Sequence, residues 1–317
     1  MRQCAFLTLD SPKGWVTDDN LTVEPLRALG WEVTILPWNQ PGVDWSRFEA
    51  VVLRSTWDYH KHLDHFLAVL EEIDRSGARL ANPLEIVRWN VRKTYLRDLE
   101  ARGLAVVPTL WPTGPDAERI RGLFDELGTD EIVLKPVVSA SAYDTFRLHR
   151  GSDLSEVTRV FAGREVMAQP FLASIVDEGE YSLFYFAGEL SHTILKSPKE
   201  NDFRVQEEHG GFIRPAEPPA PLPDLGQRIV DALPVQPLYA RVDLVRVGSE
   251  FALMELELVE PSLYFRIVPG SAERFARAFA DWMLRDPSRS SPTSPTSDSP
   301  SGTASPARSS DRASTGR

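Results

Sequence analysis

Carboxylates interrupt two apolar runs near the C-terminal end of the chain, in the stretch YARVDLVRVGSEFALMELELVEP at 239–261. Asp243 lies in the first run, and Glu255 and Glu257 lie in the second. Because alternate residues of a strand share a face, the two glutamates are predicted to point the same way. A hairpin around Gly248 would bring Asp243 across from them. The opposite face is predicted to hold Met254, Leu256 and Leu258.

Three carboxylates that converge in an apolar sheet repel one another and lose hydration, at a cost of roughly several kcal/mol per ion. A cation must therefore offset them. Oxygen ligands at this spacing suit Mg²⁺ or Mn²⁺, and Mg²⁺ typically binds together with phosphates. Asp243, Glu255 and Glu257 are thus candidate metal ligands. These strands alone leave an alternative open, in which a solvated face of acids pairs with Arg241 or Arg246.

Basic residues also occupy unusual positions. Lys135 ends the apolar strand EIVLKP, Lys196 ends the apolar strand SHTILKSP, and Lys93 lies in a predicted helix. A lysine at the end of a buried strand is poorly hydrated and favours an anionic partner. Arg204 and Arg241 add positive charge. Cations and carboxylates together on strands indicate a site for a metal and a polyphosphate.

The loop VVSASAYDT follows Lys135. Ser139, Ser141 and the alanines beside them stand where a glycine-rich phosphate loop would have glycines. Their small side chains would let backbone N–H groups approach a phosphate. This segment is therefore predicted to bind phosphate.

The elements that must position these residues begin with a βαβ pattern. CAFLTL, WEVTILPW and FEAVVLRS predict strands, while NLTVEPLRALG and HLDHFLAVLEEIDRSG predict helices that stop at glycine. This order predicts a parallel sheet covered by helices, with ligands beyond the carboxyl ends of its strands. The segment RSTWDY, residues 54–59, lies at such an end and is either an ordinary loop or faces the substrate.

The rest of the chain predicts a long helix followed by mixed elements. The helix starts after Pro83 and ends at Gly103, and another covers DAERIRGLFDELG. EIVLKPVV and EVMAQPFL predict strands, and EYSLFYFAGELSHTILKSP predicts a hairpin. A last helix is predicted from Ser271 to Leu284.

The composition is that of a globular enzyme, with 42% hydrophobic and 26% charged residues among 317. The net charge of −11 argues against a nucleic-acid partner, because phosphate backbones require a basic face. Cys4 is the single cysteine, which excludes an intramolecular disulfide and fits a reducing cytosol. The N-terminus lacks a signal-peptide pattern and no apolar run could span a membrane, so a cytoplasmic location is expected.

In order, the chain carries Lys93, Lys135, the small-residue loop, MAQPFL, DEGEYS, ILKSP, DFRVQEEHGG and RVD…ELELVEP. This order resembles the ATP-grasp superfamily, nearest to glutathione synthetase-like ligases, over 82–267. The last motif is similar to the metal-binding Glu-x-Asn signature of that family, with Glu257 where asparagine is usual. The substitution keeps an oxygen ligand and adds charge.

The resemblance implies an α/β (α+β) fold in which two antiparallel sheets sandwich ATP. An N-terminal parallel α/β domain would cover 1–82. The ATP-grasp domain would cover 83–285, with a small lid subdomain at about 108–172. Residues 286–317 hold eleven Ser and five Pro, a composition that buries too little apolar surface to offset ordering, and they are predicted to be disordered.

The resemblance also implies roles at matched positions. Lys93 and Lys135 would contact the α and β phosphates, and Glu180 would hold the ribose hydroxyls. The hinge that meets adenine would comprise Gln169, Pro170, Phe171 and Leu172. Lys196 and Arg204 would face the γ-phosphate and an acyl phosphate. Arg241 would contact phosphate, and Mg²⁺ would be held by Asp243, Glu255 and Glu257.

The fuller phrases RSTWDY, KPVVSASAYDT, GEYSLFYF and ELELVEP resemble a narrower branch of the superfamily. That branch includes the cyclo-ligase that closes O-ureido-D-serine to D-cycloserine. The implied reaction forms an acyl phosphate from a small amino-acid-like carboxylate and ATP, and a nitrogen nucleophile then displaces phosphate. Residues proposed to shape the acceptor site are Arg54, Trp57, Asp58, Tyr59, Tyr264 and Arg266.

Two other functions use the same phosphate-binding residues. One is a phosphotransferase that stops after phosphoryl transfer, and the other is a nucleotide-binding regulatory protein without catalysis. The partners expected are ATP and small carboxylate or amine substrates, with no membrane and with a possible homodimer.

Overall fold

The computed structural model describes residues 1–11, 13–200 and 202–285. The predicted disordered segment, 286–317, lies outside the described residues. Within the part described, no helix is both long and apolar enough to cross a membrane. These residues form three β-sheets of four, five and three strands.

The N-terminal sheet is parallel throughout, with strand order β2-β1-β3-β4. Its elements are β1 (Arg2–Thr8), α1 (Val23–Ala28), β2 (Trp31–Pro37), β3 (Ala50–Ser55), α2 (Leu63–Arg75) and β4 (Arg79–Ala81). All six residues of β3 are buried, as expected for a central strand covered on both faces. The predicted βαβ pattern is therefore confirmed.

Two short helices follow, α3 (Leu84–Asn90) and α4 (Tyr95–Ala101). The prediction of one continuous helix from Pro83 to Gly103 is wrong, because the helix breaks at 91–94. The N–H of Lys93 donates to the carbonyl of Val137 at 2.9 Å, so this residue leaves the helical pattern. Lys93 consequently lies in a turn and not in a helix.

The small sheet is antiparallel, with strand order β6-β5-β7. Its elements and the helices packed with them are α5 (Ala117–Glu126), β5 (Glu131–Pro136), β6 (Phe146–His149), α6 (Ser155–Val160) and β7 (Val166–Pro170). Strands β5 and β7 are confirmed, whereas β6 was not predicted. Its four residues, FRLH, include one buried side chain, too few for a clear alternation.

The large sheet is antiparallel, with strand order β10-β9-β8-β11-β12. Its elements and the helices packed with them are α7 (Ser174–Asp177), β8 (Glu180–Phe186), β9 (Glu189–Ser197), β10 (Phe212–Pro215), α8 (Pro221–Asp231), β11 (Tyr239–Val247), β12 (Glu250–Glu257) and α9 (Ser271–Leu284). Both predicted hairpins, β8–β9 and β11–β12, are confirmed. The last helix has the predicted bounds.

A β-bulge modifies the acidic hairpin. Asp243 pairs with Glu255 as predicted, but the next pair joins Leu244 to Leu253 and leaves Met254 without a partner. An extra residue of this kind breaks the alternation of faces. Lys135 Nζ lies 3.9 Å from the sulfur of Met254 and 2.6 Å from the carboxylate of Glu255, so both side chains face the same way and the prediction that Met254 faces away is wrong. On the other face, Leu256 packs in the core as predicted.

Two buried asparagines fix the end of the acidic hairpin. The Nδ2 group of Asn82 donates to the carbonyls of Tyr239 and Leu258, at 2.9 and 2.7 Å. Asn90 donates to the carbonyl of Leu256 at 2.9 Å and accepts from the N–H of Leu258 at 2.9 Å. These contacts hold the point where β12 ends close to the N-terminal sheet.

Candidate active site

A cavity of about 330 Å³ lies between the small and large sheets. The small sheet contributes Lys135 and the end of β7, and the large sheet contributes side chains from β8, β9, β11 and β12. The residues predicted to bind the nucleotide, the metal and the transferred phosphoryl group all line this cavity: Lys93, Lys135, Ser139, Ser141, Gln169, Pro170, Phe171, Leu172, Glu180, Lys196, Arg204, Arg241, Asp243, Glu255 and Glu257. The structure thus brings together residues that span more than half of the chain.

Glu255 joins the two lysines predicted to contact phosphate. Its carboxylate lies 3.1 Å from Lys93 Nζ and 2.6 Å from Lys135 Nζ. Burial acts to raise the pKa of Glu255, but the charges of Lys135 and Lys93 outweigh it and hold the pKa well below its usual range. The carboxylate therefore stays ionised and keeps both ammonium groups in the cavity.

A second ionic network lies on β8, β9 and β11. Lys196 is 3.3 Å from Asp243 and also contacts Glu180, and its side chain is 3% exposed. Arg241 donates to Asp243 at 2.9 Å and also contacts Glu257. Burial opposes the charged forms here, yet Arg241 and Lys196 lower the pKa of Asp243. We call the cavity lining formed by both networks the phosphate end; it comprises Lys93, Lys135, Glu180, Lys196, Arg241, Asp243, Glu255 and Glu257.

The predicted metal ligands do not form a cage. Among the described residues, no three Asp, Glu, His or Cys side chains are arranged to hold a metal ion. The prediction that a cation must offset Asp243, Glu255 and Glu257 is confirmed, but the cations are lysine and arginine side chains, so no metal is required for this purpose. Their oxygens still fit Mg²⁺, which usually binds one or two carboxylates together with waters and substrate phosphates.

The loop after β5 has unusual backbone geometry. Ser141, Ala142 and Asp144 have φ angles of 51°, 53° and 52°. This left-handed conformation is uncommon for residues other than glycine and is concentrated at functional sites. Thr145, at the end of the loop, has a buried hydroxyl without a hydrogen-bond partner in the described residues. Both features suit a segment that a ligand completes.

The predicted hinge lies at the end of β7. Gln169 donates through Nε2 to Thr109 Oγ1 at 3.0 Å, and the N–H of Phe171 donates to the carbonyl of Glu131 at 2.9 Å. The guanidinium carbon of Arg147 lies 3.5 Å from the centroid of the Phe171 ring. These contacts fix an apolar wall on one side of the cavity.

Arg204 lines the cavity from the loop between β9 and β10. Its guanidinium makes two hydrogen bonds to Asp202, at 3.1 and 2.9 Å, and its side chain is 36% exposed. The same loop turns back at Gly210 and Gly211. A Cβ atom at Gly211 would lie 2.1 Å from the carbonyl oxygen of Val205, so the close approach requires glycine there.

Another part of the cavity lining, which we call the acceptor end, comprises Trp15, Trp57, Tyr59, Gln206, Glu260 and Tyr264. Trp57, Tyr59 and Tyr264, which were predicted to shape an acceptor site, line the cavity, and their role stays a prediction. Sequence reasoning missed Trp15 and Gln206. Their only signals were an isolated aromatic near the N-terminus and a polar residue inside DFRVQEEHGG.

Three residues predicted to shape the acceptor site have other partners. Arg54 does not line the cavity; it is 2% exposed and donates to Asp19 at 2.9 Å. Asp58 accepts from the indole of Trp38 at 2.8 Å. Arg266 bridges two segments, since it donates to Asp18 at 2.8 Å and to Glu207 at 2.6 Å. Neither arginine lines the cavity, because each is paired with acidic residues that lie far away in sequence.

Comparisons with known proteins agree with this geometry. Residues 4–82 match the family described as D-cycloserine synthetase DcsG, N-terminal domain. Over 281 residues the chain is 34% identical to the cycloserine biosynthesis protein DcsG of Streptomyces lavendulae, across 82% of this chain and 91% of that protein. This chain belongs to the DcsG family of ATP-grasp ligases.

Solved structures show the same fold. The crystal structure of D-cycloserine synthetase DcsG aligns with a TM-score of 0.79 and 31% identity, over 89% of this chain and 99% of that one. A RimK domain ATP-grasp protein from Sphaerobacter thermophilus gives 0.66 and 16%, over 90% and 100%. D-alanine–D-alanine ligase from Bacillus anthracis gives 0.62 and 15%, over 90% and 96%. The last two support the fold alone.

Membership in the DcsG family confirms the predicted ATP-grasp fold and the predicted class of enzyme, an ATP-dependent ligase that forms a carbon–nitrogen bond. It argues against the non-catalytic regulatory protein. The roles of single residues, the metal and the domain boundaries stay predictions.

Proposed function

We propose that this chain closes O-ureido-D-serine to D-cycloserine with consumption of ATP. The observation that carries the proposal is the convergence of Lys93, Lys135, Lys196 and Arg241 in one cavity between two antiparallel sheets, each paired with a carboxylate. Similarity to DcsG over most of both chains supports the choice of substrate.

The reaction would take place in two steps. A carboxylate oxygen of the substrate attacks the γ-phosphorus, the bond from that phosphorus to the β,γ-bridging oxygen breaks, and ADP leaves. The oxygen-bound nitrogen then attacks the acyl carbon, loses its proton, and expels phosphate as the ring closes. Release of the carbamoyl group as carbon dioxide and ammonia requires one water. Positioning and charge neutralisation supply most of the catalysis in phosphoryl transfers of this kind.

The residues of the phosphate end would bind the nucleotide. Lys93 and Lys135 would exchange the carboxylate of Glu255 for the α and β phosphates, and the serines at 139 and 141 would present backbone N–H groups. The adenine would lie against the hinge at 169–172, with the ribose near Glu180. Such an exchange costs little because the ammonium groups are already held in the cavity.

The groups that transfer the phosphoryl group would be Lys196, Arg204 and Arg241. Mg²⁺ or Mn²⁺ would be held by Asp243, Glu255 and Glu257, and when bound it would neutralise phosphate charge. Burial raises the pKa of Glu257 to about 7, with a further contribution from Asp243 and in spite of Arg241. An arriving cation would favour the ionised form of this carboxylate.

We also propose the division of the chain into an N-terminal domain (1–82), an ATP-grasp domain (83–285, with a lid at about 108–172) and a C-terminal tail (286–317). A cytoplasmic location and a homodimer complete the proposal. Size-exclusion chromatography with light scattering tests the dimer.

The decisive experiment measures ADP release with O-ureido-D-serine, with mass detection of the product. Formation of D-cycloserine with one ADP per ring supports the proposal. Release of ADP with a different amino acid would retain the ligase and replace the substrate. Accumulation of a phosphorylated substrate without ring closure would indicate a phosphotransferase.

A further inference from the structure

The carboxylates that line the cavity differ in whether they form an ion pair. Seven of them line it, and five form ion pairs with lysine or arginine: Glu180, Glu207, Asp243, Glu255 and Glu257. Of the other two, Glu208 is exposed. Glu260 is partly buried, and its carboxylate forms no ion pair with the described residues; the one hydrogen bond it accepts there comes from its own backbone N–H. This carboxylate therefore lacks a cationic partner.

The backbone beneath Glu260 is fixed by side chains from outside its own segment. The indole of Trp57 donates to the carbonyl of Glu260 at 2.9 Å. On either side, Tyr239 donates to the carbonyl of Val259 at 2.9 Å and Arg54 donates to that of Pro261 at 3.1 Å. Three consecutive carbonyls are thus held by three different donors, which places the carboxylate reproducibly at the acceptor end.

Without a cationic partner, the ionised form of Glu260 is disfavoured. Burial, and then the charge of Glu257, raises the pKa of Glu260 to about 8, although Lys93 and Arg241 act in the opposite direction. A buried carboxylate without a partner is costly, and a cation that enters the cavity would relieve that cost. A positively charged group on the ligand fits this position.

A second acceptor without a donor lines the same cavity. The Oε1 atom of Gln206 is buried and has no hydrogen-bond partner in the described residues. Buried polar atoms are nearly always satisfied, so an unsatisfied one that faces a cavity indicates a group on the ligand. Glu260 and Gln206 are both acceptors, and together they fit a ligand that is rich in N–H donors.

We propose that Glu260 binds the ammonium group of the amino-acid substrate and so selects amino acids over carboxylic acids that lack the amino group. The inference rests on the proposed function, in which the substrate carboxylate faces the phosphate end. Glu260 would hold the ammonium group of the same molecule while Arg241 and Lys196 face the carboxylate. Glu260 is a specificity-determining residue in this scheme and takes no part in proton transfer.

The test compares O-ureido-D-serine with its des-amino analogue, 3-(ureidooxy)propanoate, in ADP release by the full chain. We expect the wild type to favour the amino substrate by about 10- to 100-fold in kcat/KM, the usual range for a hydrogen bond to a charged group. In Glu260→Gln the KM of the amino substrate should rise by a similar factor, and the kinetics of the analogue should stay unchanged. Glu260→Asp, which keeps the charge, should retain part of the preference.

Matched controls separate this role from a structural one. Glu250→Gln removes an exposed carboxylate at the other end of β12 and should leave the substrate preference intact. Affinity for a non-hydrolysable ATP analogue should be the same in Glu260→Gln and in the wild type. An equal loss with both substrates, or no loss with either, would overturn the proposal.

Failure of the proposed function gives a different result. If the wild type acts on another amino acid, the same comparison is made with that amino acid and its des-amino counterpart. If no substrate supports ADP release, calorimetry measures binding of O-ureido-D-serine and of its des-amino analogue to the wild type and to Glu260→Gln. Equal affinity of the two proteins for the amino compound, or its failure to bind the wild type, would then rule out the Glu260 assignment.

Discussion

The two ends of the cavity differ in whether their carboxylates have cationic partners. At the phosphate end each carboxylate already has a lysine or arginine partner, as Glu255 has with Lys93 and Lys135. At the acceptor end Glu260 has no cation and Gln206 has an unsatisfied oxygen. In the proposed function, the first arrangement would keep cations in place until phosphates replace the carboxylates, and the second would leave a position for the substrate to complete. We therefore expect nucleotide binding and substrate choice to be separable by mutation.

Among substitutions at the phosphate end, Glu255→Ala should reduce activity the most. It removes the partner of Lys93 and Lys135 and a predicted metal ligand, so ADP formation should fall by about 10²- to 10³-fold, as when a group that stabilises the transition state is lost. Fixed-time assays of ADP release measure the rate of ADP formation, and circular dichroism checks that the variant is folded. Full turnover in this variant would refute the assignment of Glu255.

A buried histidine behind the acceptor end gives a pH-dependent test. The Nε2 group of His192 donates to the carbonyl of Leu263 at 3.0 Å, and the ring stacks on Phe184 at 4.3 Å. Burial, with Arg274 acting in the same direction, lowers the pKa of His192 from its ordinary 6.5 to about 4. The unfolded state then binds the proton more readily than the folded state, so stability is fully present above about pH 6.5 and falls as the pH drops toward 4.

When the pH falls from 7.5 to 5, protonation of His192 in the unfolded state should lower the free energy of unfolding by about 2 kcal/mol. Urea titrations at the two pH values measure the loss, and His192→Gln should reduce it. His62→Gln, at the start of α2, is the matched control. An unchanged pH dependence in His192→Gln would exclude the neutral buried ring.

Lys135→Ala tests whether the nucleotide uses the cations that the carboxylates hold. Because this side chain is 11% exposed and close to Glu255, its loss should weaken binding of an ATP analogue by about 10- to 100-fold. Calorimetry gives the affinity, with Lys61→Ala, an exposed lysine, as the control. Unaltered affinity would argue against a phosphate clamp.

Arg266→Ala tests whether a change near the acceptor end alters substrate binding without altering ATP binding. This residue connects Asp18 of the N-terminal segment to Glu207 of the β9–β10 loop, and residues of both segments line the cavity. Its loss should raise the KM of the amino-acid substrate by roughly a few fold, since exposed ion pairs contribute about 1 kcal/mol or less. The affinity for ATP should not change. A weaker ATP affinity would contradict the separation of the two ends.

Deletion of 286–317 should have the smallest effect. A segment rich in Ser and Pro buries little apolar surface, so the melting temperature and both kinetic constants should stay the same. Differential scanning fluorimetry and ADP release measure them. A drop of several degrees would show that the tail packs on the enzyme.

Local patterns predicted the elements that hold the site. The alternation around Asp243 and Glu255 gave the hairpin and its pairing, and apolar runs that end in Lys135 and Lys196 gave the strands. Such features depend on neighbours in sequence. The residues predicted to bind the nucleotide and the metal consequently meet in one cavity, whereas Arg54, Asp58 and Arg266 do not line it.

Features set by distant partners escaped prediction. The helix break at Lys93 depends on the carbonyl of Val137, 44 residues later, and the burial of Arg54 depends on Asp19. The position of Glu260 depends on the indole of Trp57 and on other donors far along the chain. The local sequence pattern of a segment does not reveal contacts with residues so far away in the chain.

The bulge in β12 also affects where this strand can change in length. Met254 is the additional residue, so its deletion would restore regular pairing without turning Leu253 or Glu255 to new faces. We therefore expect this point of the strand to tolerate loss of a residue, while an insertion or deletion elsewhere in β12 would turn every later side chain to the opposite face. Homologues that gain or lose a residue here could reshape the cavity wall and preserve their acidic groups.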